Sequence, residues 1–313
     1  MSDYDQFYLI PKGISQIRSR NDVSLRSDLY GLYPIISSPM AGVSGPSLVI
    51  EMAKNNCLGI LHRFKSPVDR LHDIDLVSSE QVVFGISIQV NDCERELEIA
   101  EYAVEHGAMM VVLDLANAYI PQIGEMGKKL RNRLGTEVRL MTGNIITSEG
   151  ASYVKESGFD FVRCSIGSGG LCTTRSVTGV GRNALAALKD CSNVDINLVV
   201  DGGIKNSGDI VKSFFCGADF AMLGSALALS NESENTDGKI FGMASRTNHE
   251  NNGKKIKSIE GKDLQLDVSQ KKPLKEILSE ILWGIRSACT YLNCRSYKDI
   301  PFNSHIVNAN ESL

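Results

Sequence analysis

The sequence predicts an α/β fold, a single (β/α)8 barrel of the TIM type, and three observations carry that prediction. Short apolar, β-branched runs recur eight times, stretches with helical periodicity lie between them, and nearly every run ends in glycine or a polar residue. Eight strand–helix repeats within 313 residues suit a closed barrel better than an open doubly wound sheet.

The strands are expected at 33–40 (YPIISSPM), 58–63 (LGILHR), 82–88 (VVFGISI) and 109–116 (MMVVLDLA). Four more are expected at 138–145 (VRLMTGNI), 159–166 (FDFVRCSI), 197–204 (NLVVDGGI) and 218–225 (ADFAMLGS). Helices are read at 94–107 (ERELEIAEYAVEHG) and 208–217 (GDIVKSFFCG), where the apolar residues recur at helical spacing. A polar segment, 231–273, follows the eighth strand and is too long for an ordinary connection, so it is expected to be a mobile lid. The run LKEILSEILWGIRSACTYL (274–292) then supplies the closing helix, and 301–313 reads as a loose C-terminal tail of one domain spanning 1–313.

The polar strand ends point to a site. Barrel enzymes build their active sites where the strands end, and here those ends carry His62, Arg63, Asp114, Asn144, Asp201 and Ser225. Tight strand–helix turns would account for the glycines. They would not account for Asp114, Asn144 and Asp201 at equivalent positions.

Composition narrows the class. At 42% hydrophobic, 22% charged and a net charge of −4, the chain has the make-up of a soluble globular protein and lacks the basic footprint of a nucleic-acid binder. No apolar run is long enough for a membrane span, and the opening MSDYDQFYLIPKG does not read as a signal peptide. The eight cysteines contain no CxxC pair. That argues against a zinc ribbon or a disulfide framework, and for reduced thiols in a cytoplasm and no metal.

One cysteine stands apart. In GSGGLCTTR (167–175), followed by TGVG (178–181), Cys172 sits on a flexible loop between glycines, hydroxyls and an arginine. A structural cysteine is usually a small buried hydrophobe, whereas nearby positive charge and backbone N–H groups favour a thiolate. Nucleophilic use needs a hydroxyl or base nearby, which Thr174 and Glu260 could supply. On the residues alone, Glu260 reads better as a solvated surface charge. Gly202, Gly203, Gly224 and Ser225 would bring backbone N–H groups together after adjacent strands, the recurrent phosphate site of barrels. Asp201 is suited to ribose hydroxyls or, alternatively, to capping a turn.

Taken together, SSPM (37–40), CTTRSVTGVG (172–181), DGGI (201–204), GADFAMLGS (217–225), FGM (241–243), EGK (260–262) and GIRSACTY (284–291) resemble one family, in its order and over nearly the whole chain. It is the inosine-monophosphate dehydrogenase and guanosine-monophosphate reductase superfamily. LIPKGISQIRSRNDVSL (9–25), LDLANAY (113–119), GNIIT (143–147) and RSACTY (286–291) are similar to the reductase branch. The dehydrogenases' regulatory insert and flap Arg-Tyr pair are missing.

The resemblance implies an NADPH-dependent reductive deamination of GMP, or of a relative such as dGMP, to the inosine nucleotide and ammonia. Cys172 would attack C2 of the purine, with Thr174 and Glu260 handling protons. Asp201 would hold the ribose, and Gly169, Gly170, Gly202, Gly203, Gly224, Ser225 and Gly242 would surround the rest of the nucleotide. Met243, Ala244, Lys257 and Gly261 would border the base, while Arg63, Asp114, Asn144 and Arg175 would lie by the cofactor of a homotetramer. The rival readings are NAD-dependent oxidation of IMP to XMP and a nucleotide-binding homologue without turnover. Several positions depart from the family pattern: Gly170 replaces a phosphate-binding serine, Phe241 a tyrosine, Ala41 an aspartate, Arg246 a glutamate, Lys257 an arginine and Arg63 a lysine. Two neutral hydrogen bonds lost at one phosphate weaken binding by roughly tenfold or more.

Overall fold

In the computed structural model, residues 4–242, 244–247 and 259–309 are described. The chain opens with strand β1 (Phe7–Pro11), and the barrel follows as β2 (Ile35–Ser37), β3 (Ile60–Leu61), β4 (Phe84–Ile88) and β5 (Ala108–Asp114). It continues through β6 (Arg139–Ile145), β7 (Phe161–Cys164), β8 (Asn197–Asp201) and β9 (Phe220–Leu223). Every apolar run expected as a strand contains one. Their sheet order is β2-β9-β8-β7-β6-β5-β4-β3, all parallel, and a parallel bridge from Ile36 to Leu58 joins the two ends into a barrel.

Side-chain alternation explains how this barrel carries a site. Ile36, Ile60, Val112, Met141, Phe161, Val199 and Met222 belong to one buried apolar cluster filling the barrel. In a strand, residues two apart face the same side. Two positions further along, the same inward rows therefore present Ser38, His62, Asp114, Gly143, Arg163, Asp201 and Gly224. The interior is an apolar plug with a polar mouth, and the change occurs within one step of the pleat.

Helices cover the outside: α1 (Pro46–Lys54), α2 (Pro67–Ser79), α3 (Cys93–Glu105), α4 (Pro121–Leu134) and α5 (Ser148–Glu156). After these come α6 (Thr174–Thr178), α7 (Ala184–Cys191), α8 (Ser207–Phe215) and α9 (Leu274–Tyr291). Local chemistry sets their starts. Asn206 caps α8 by accepting from the Asp209 N–H, Thr147 caps α5 through Gly150, and α1, α2 and α4 begin on prolines. The buried faces are those expected from periodicity, Leu97, Ala100 and Ala103 on α3 and Ile210, Val211 and Phe214 on α8. Burying one such leucine or phenylalanine contributes about 1.5–3 kcal/mol. No described helix is long and apolar enough to cross a membrane. Cys57, Cys164, Cys191, Cys216, Cys289 and Cys294 are buried, and burial pushes the Cys57 and Cys289 thiols up to about 12.

The C-terminal segment departs from expectation. Instead of a loose tail, a short helix α10 (Ile300–Asn303) leads into a strand that pairs antiparallel with β1, from Phe7 opposite Asn308 to Pro11 opposite Ser304. Phe7, Leu9 and Ile306 pack against the core from this ribbon. The pairing joins the two ends of the chain. Residues 310–313 lie outside the described residues.

The segment expected as a lid is anchored at both ends. Asn231 N–H donates to Lys272 O at 3.0 Å, and β10 (Lys239–Phe241) pairs antiparallel with β11 (Asp263–Gln265), so the terminal strand Ser304–Asn308 is β12. The centre of that segment, 248–258, lies outside the described residues, and so do Met243 and Lys257. Near its start, the Glu234 carboxylate meets His62 Nε2 and Lys65 Nζ, each at 2.7 Å, and Lys65 also reaches Asp73 at 2.7 Å.

Burial raises the Glu234 carboxyl, but its bonds to His62 and Lys65 outweigh that and hold it down at about 2. A depressed carboxyl stabilises the fold fully above its ordinary value and loses that contribution as pH falls through the folded value. Glu234→Gln is expected to cost about 1–2 kcal/mol at neutral pH, between exposed and fully buried pairs. Urea unfolding at several pH values checks this: the gap between wild type and variant should narrow as pH falls from the ordinary glutamate range toward 2.

Candidate active site

A cavity of about 210 Å³ opens at the polar mouth, lined by residues from the cysteine loop, the Asp-Gly-Gly turn, the Gly-Ser turn and the returning segment after β10. A larger depression of about 900 Å³ lies at the opposite, N-terminal ends of the strands beside Arg139, Asn197 and Tyr297 and contains none of the expected site residues. Cys172, Thr174, Asp201 and Glu260 all line the smaller one.

Cys172 is half-buried in this cavity, and its Sγ lies 3.2 Å from Thr174 Oγ1. Short backbone pairing holds the loop. Thr173 N–H donates to Glu260 O at 2.8 Å, Lys262 N–H donates to Leu171 O at 2.9 Å, and Cys172 and Gly261 form an antiparallel bridge. This stitching brings Glu260 into the lining of the cavity that also holds the thiol. Gly242 must be a glycine here, because a Cβ on it would come within 2.8 Å of Leu171 O.

The glycine turns meet as expected. Gly202 and Gly203 follow β8, Gly224 and Ser225 follow the adjacent β9, and all four line the cavity. Among the described residues, their N–H groups donate to no protein acceptor. Clustered unpaired N–H groups form an anion-binding concavity. Gly169, Gly170, Ala244 and Gly261 complete the wall, and the space around Gly170 is open where a side chain would stand.

Behind the cavity runs a buried chain of charge. Arg63 Nε donates to Asp114 Oδ2 at 3.2 Å, and Arg163 Nη2 donates to Asp114 Oδ1 at 2.7 Å. Arg163 Nη1 also reaches Asp201 Oδ2 at 3.5 Å, and Asn144 Nδ2 reaches the same oxygen at 3.3 Å. Ser165 Oγ donates to the Asp201 carbonyl at 2.7 Å. Burial pushes the Asp201 carboxyl up, with Arg163 and Asn144 opposing and Asp114 adding to the rise. Asp114 and Asp201 thus share the Arg163 guanidinium, and Asp114 holds Arg63 as well.

Arg163 and Ser165 were not singled out from the sequence, yet both line the cavity. An arginine inside the apolar run FDFVRCSI was the available signal. Of the residues expected near a cofactor, Asn144 lines this cavity and Asp114 an adjoining one of about 70 Å³, which Ala41 and Phe241 also line. Arg63 is tied to Asp114. Arg175 stands behind the cysteine loop, donating to Ile166 O at 3.1 Å, to Ser168 Oγ at 2.6 Å and to Arg182 O.

The family model for the IMP dehydrogenase / GMP reductase domain matches residues 2–312. A protein named GMP reductase from Photobacterium profundum is 29% identical over 325 residues, covering 95% of this chain and 92% of its own. One of the same name from Lactobacillus acidophilus is 30% identical over 316 residues, covering 97% and 94%. A third, from Phytophthora infestans, is 28% identical over 338 residues, covering 99% and 91%. With the match running almost end to end, the chain belongs to the IMP dehydrogenase / GMP reductase domain family.

Proposed function

We propose that this protein is an NADPH-dependent reductive deaminase of GMP, or of a close guanine nucleotide such as dGMP, working through a covalent bond to Cys172. The observation that carries the reading is the pairing of Cys172 Sγ with Thr174 Oγ1 at 3.2 Å, in a cavity that also holds Glu260 and the glycine cradle. The names of the relatives support the same direction.

The cradle N–H groups would take the nucleotide's phosphate and Asp201 a ribose hydroxyl, which sets C2 of the base against the thiol. The Cys172 thiolate would add to C2, with Thr174 Oγ1 steadying the sulfur. Glu260 would give a proton to the amino group as the C–N bond breaks and ammonia leaves. NADPH would supply the hydride that replaces the amino group at C2. The thiolate would then depart, so that GMP, NADPH and two protons give IMP, NADP⁺ and ammonium. Asn144, Asp114 and Arg63 fit a bordering role for the nicotinamide ring: Arg63 and Arg163 are offset by Asp114 and Asp201, leaving a polar wall for a neutral group. Arg175 would act on the cofactor only through the shape of the loop it braces. Closure of 231–273 over the base, a homotetramer and a cytoplasmic setting belong to the same reading.

Purified protein with GMP and NADPH is expected to release one ammonia per NADPH oxidised, with dGMP run in parallel. XMP formed from IMP and NAD, without ammonia from any guanine nucleotide, would overturn the assignment.

A further inference from the structure

Two consecutive glycines in a binding turn raise a problem of orientation. Gly202 and Gly203 have φ of +98° and +79°, a region that glycine enters freely, so the peptide between them has more than one accessible orientation. In one, the Gly203 N–H faces an anion. In a flipped one, the Gly202 carbonyl oxygen would face it and repel it. A binding cradle needs the first orientation held before the ligand arrives.

The hold comes from the other end of the chain. Tyr4 is fully buried, does not line the cavity, and donates its hydroxyl to Gly202 O at 3.2 Å. In a trans peptide the C=O and the following N–H point in opposite directions. Fixing the Gly202 carbonyl toward Tyr4 therefore turns the Gly203 N–H away from it, on the side where Gly203 lines the cavity. The ring also packs against the turn, with Cε2 lying 3.3 Å from where a Cβ on Gly203 would be.

Tyr4 is itself fixed. Its carbonyl accepts from Lys212 Nζ on α8 at 2.9 Å, and β1, starting at Phe7, is paired with β12. We propose that Tyr4 is a positioning residue for anion binding, pinning the Gly202 carbonyl so that the Gly203 N–H is aimed at the nucleotide's phosphate. This rests on reading the cradle as the phosphate site. It gives the terminal ribbon a functional consequence, because the ribbon holds in place the residue that shapes the turn.

Tyr4→Phe removes the hydroxyl and keeps the ring, and a comparison of GMP with guanosine by calorimetry isolates the phosphate. Loss of one neutral hydrogen bond predicts that the variant binds GMP about two- to tenfold more weakly. Guanosine affinity and kcat should stay at the wild-type level, so the loss appears in KM alone. Lys212→Met, which frees the Tyr4 carbonyl, should shift GMP binding in the same direction by less. If the wild type prefers GMP to guanosine and Tyr4→Phe keeps that preference intact, the proposal is wrong. Equal weakening of GMP and guanosine would mark Tyr4 as a general packing residue and overturn it as well. A wild type that binds GMP and guanosine equally would instead remove the phosphate reading of the cradle, and the role of Tyr4 with it.

Discussion

Cys172→Ala is expected to lower turnover by about 10⁴-fold or more, the scale seen when a covalent nucleophile is removed, while nucleotide binding stays measurable. The two effects separate because different groups carry them. The bond to the purine is to be made by Sγ, whereas the phosphate and ribose would be held by backbone N–H groups of the glycine turns and by Asp201. Removing Sγ leaves those groups in place, since the loop is held by backbone pairing to Glu260 and Lys262 and by Arg175. Cys164→Ala is the control. Cys164 is fully buried, with its thiol raised well above the ordinary value by a bond to Cys191 and by burial, so it has neither the access nor the ionisation of a nucleophile. Single-turnover ammonia release and nucleotide affinity, measured on both variants, check the pair. Near-normal steady-state rates from Cys172→Ala would rule out covalent catalysis.

The strands were legible because each is a continuous apolar run between turn residues, the pattern of strands buried on both faces. MMVVLDLA overlaps β5 from Met109 to Asp114, and every residue of that strand is buried. The site glycines and Asp201 were legible for a related reason, since each follows directly on such a run. What the sequence hid depends on contacts between distant segments. On the residues alone Glu260 reads as a surface charge, because it reaches the cavity wall only when the chain returns to pair with the cysteine loop far earlier in the sequence, as the Thr173–Glu260 and Lys262–Leu171 bonds show. The C-terminal strand reads as a tail in the sequence because its partner, β1, lies at the far end of the chain. Arg163 was hidden differently. It sits in plain view in an apolar strand, but its inward direction is known only when Phe161 is seen inside the barrel.

Arg163→Met should produce the largest loss of stability at the site. The side chain is 2% exposed, and it is bonded to Asp114 and Asp201, which are 1% and 18% exposed. Methionine keeps much of the volume but leaves Asp201 without its cation and Asp114 with Arg63 alone; removing one partner of a buried pair costs about 3–5 kcal/mol. The pH dependence separates charge from packing. Asp201 already titrates above its ordinary range because burial opposes its charge and Arg163 only partly offsets that. A carboxyl raised in the folded state opposes folding at neutral pH. That penalty is absent below the ordinary carboxylate pKa and grows as pH rises toward the folded value. Without Arg163 the folded value climbs further. The stability gap between wild type and variant should therefore be small in acid and widen as pH rises. Nucleotide binding should weaken as well, since a protonated Asp201 accepts a ribose hydroxyl poorly; one charge-assisted bond is worth about 1.5–3 kcal/mol, or roughly 10- to 100-fold. Arg163→Lys keeps the charge but not the fork that reaches both carboxylates, so it should recover only part of each loss. Urea unfolding across pH measures the gap directly. A deficit of constant size from acid to alkaline pH would mean that Arg163 fills space and does not hold Asp201 in its charged form.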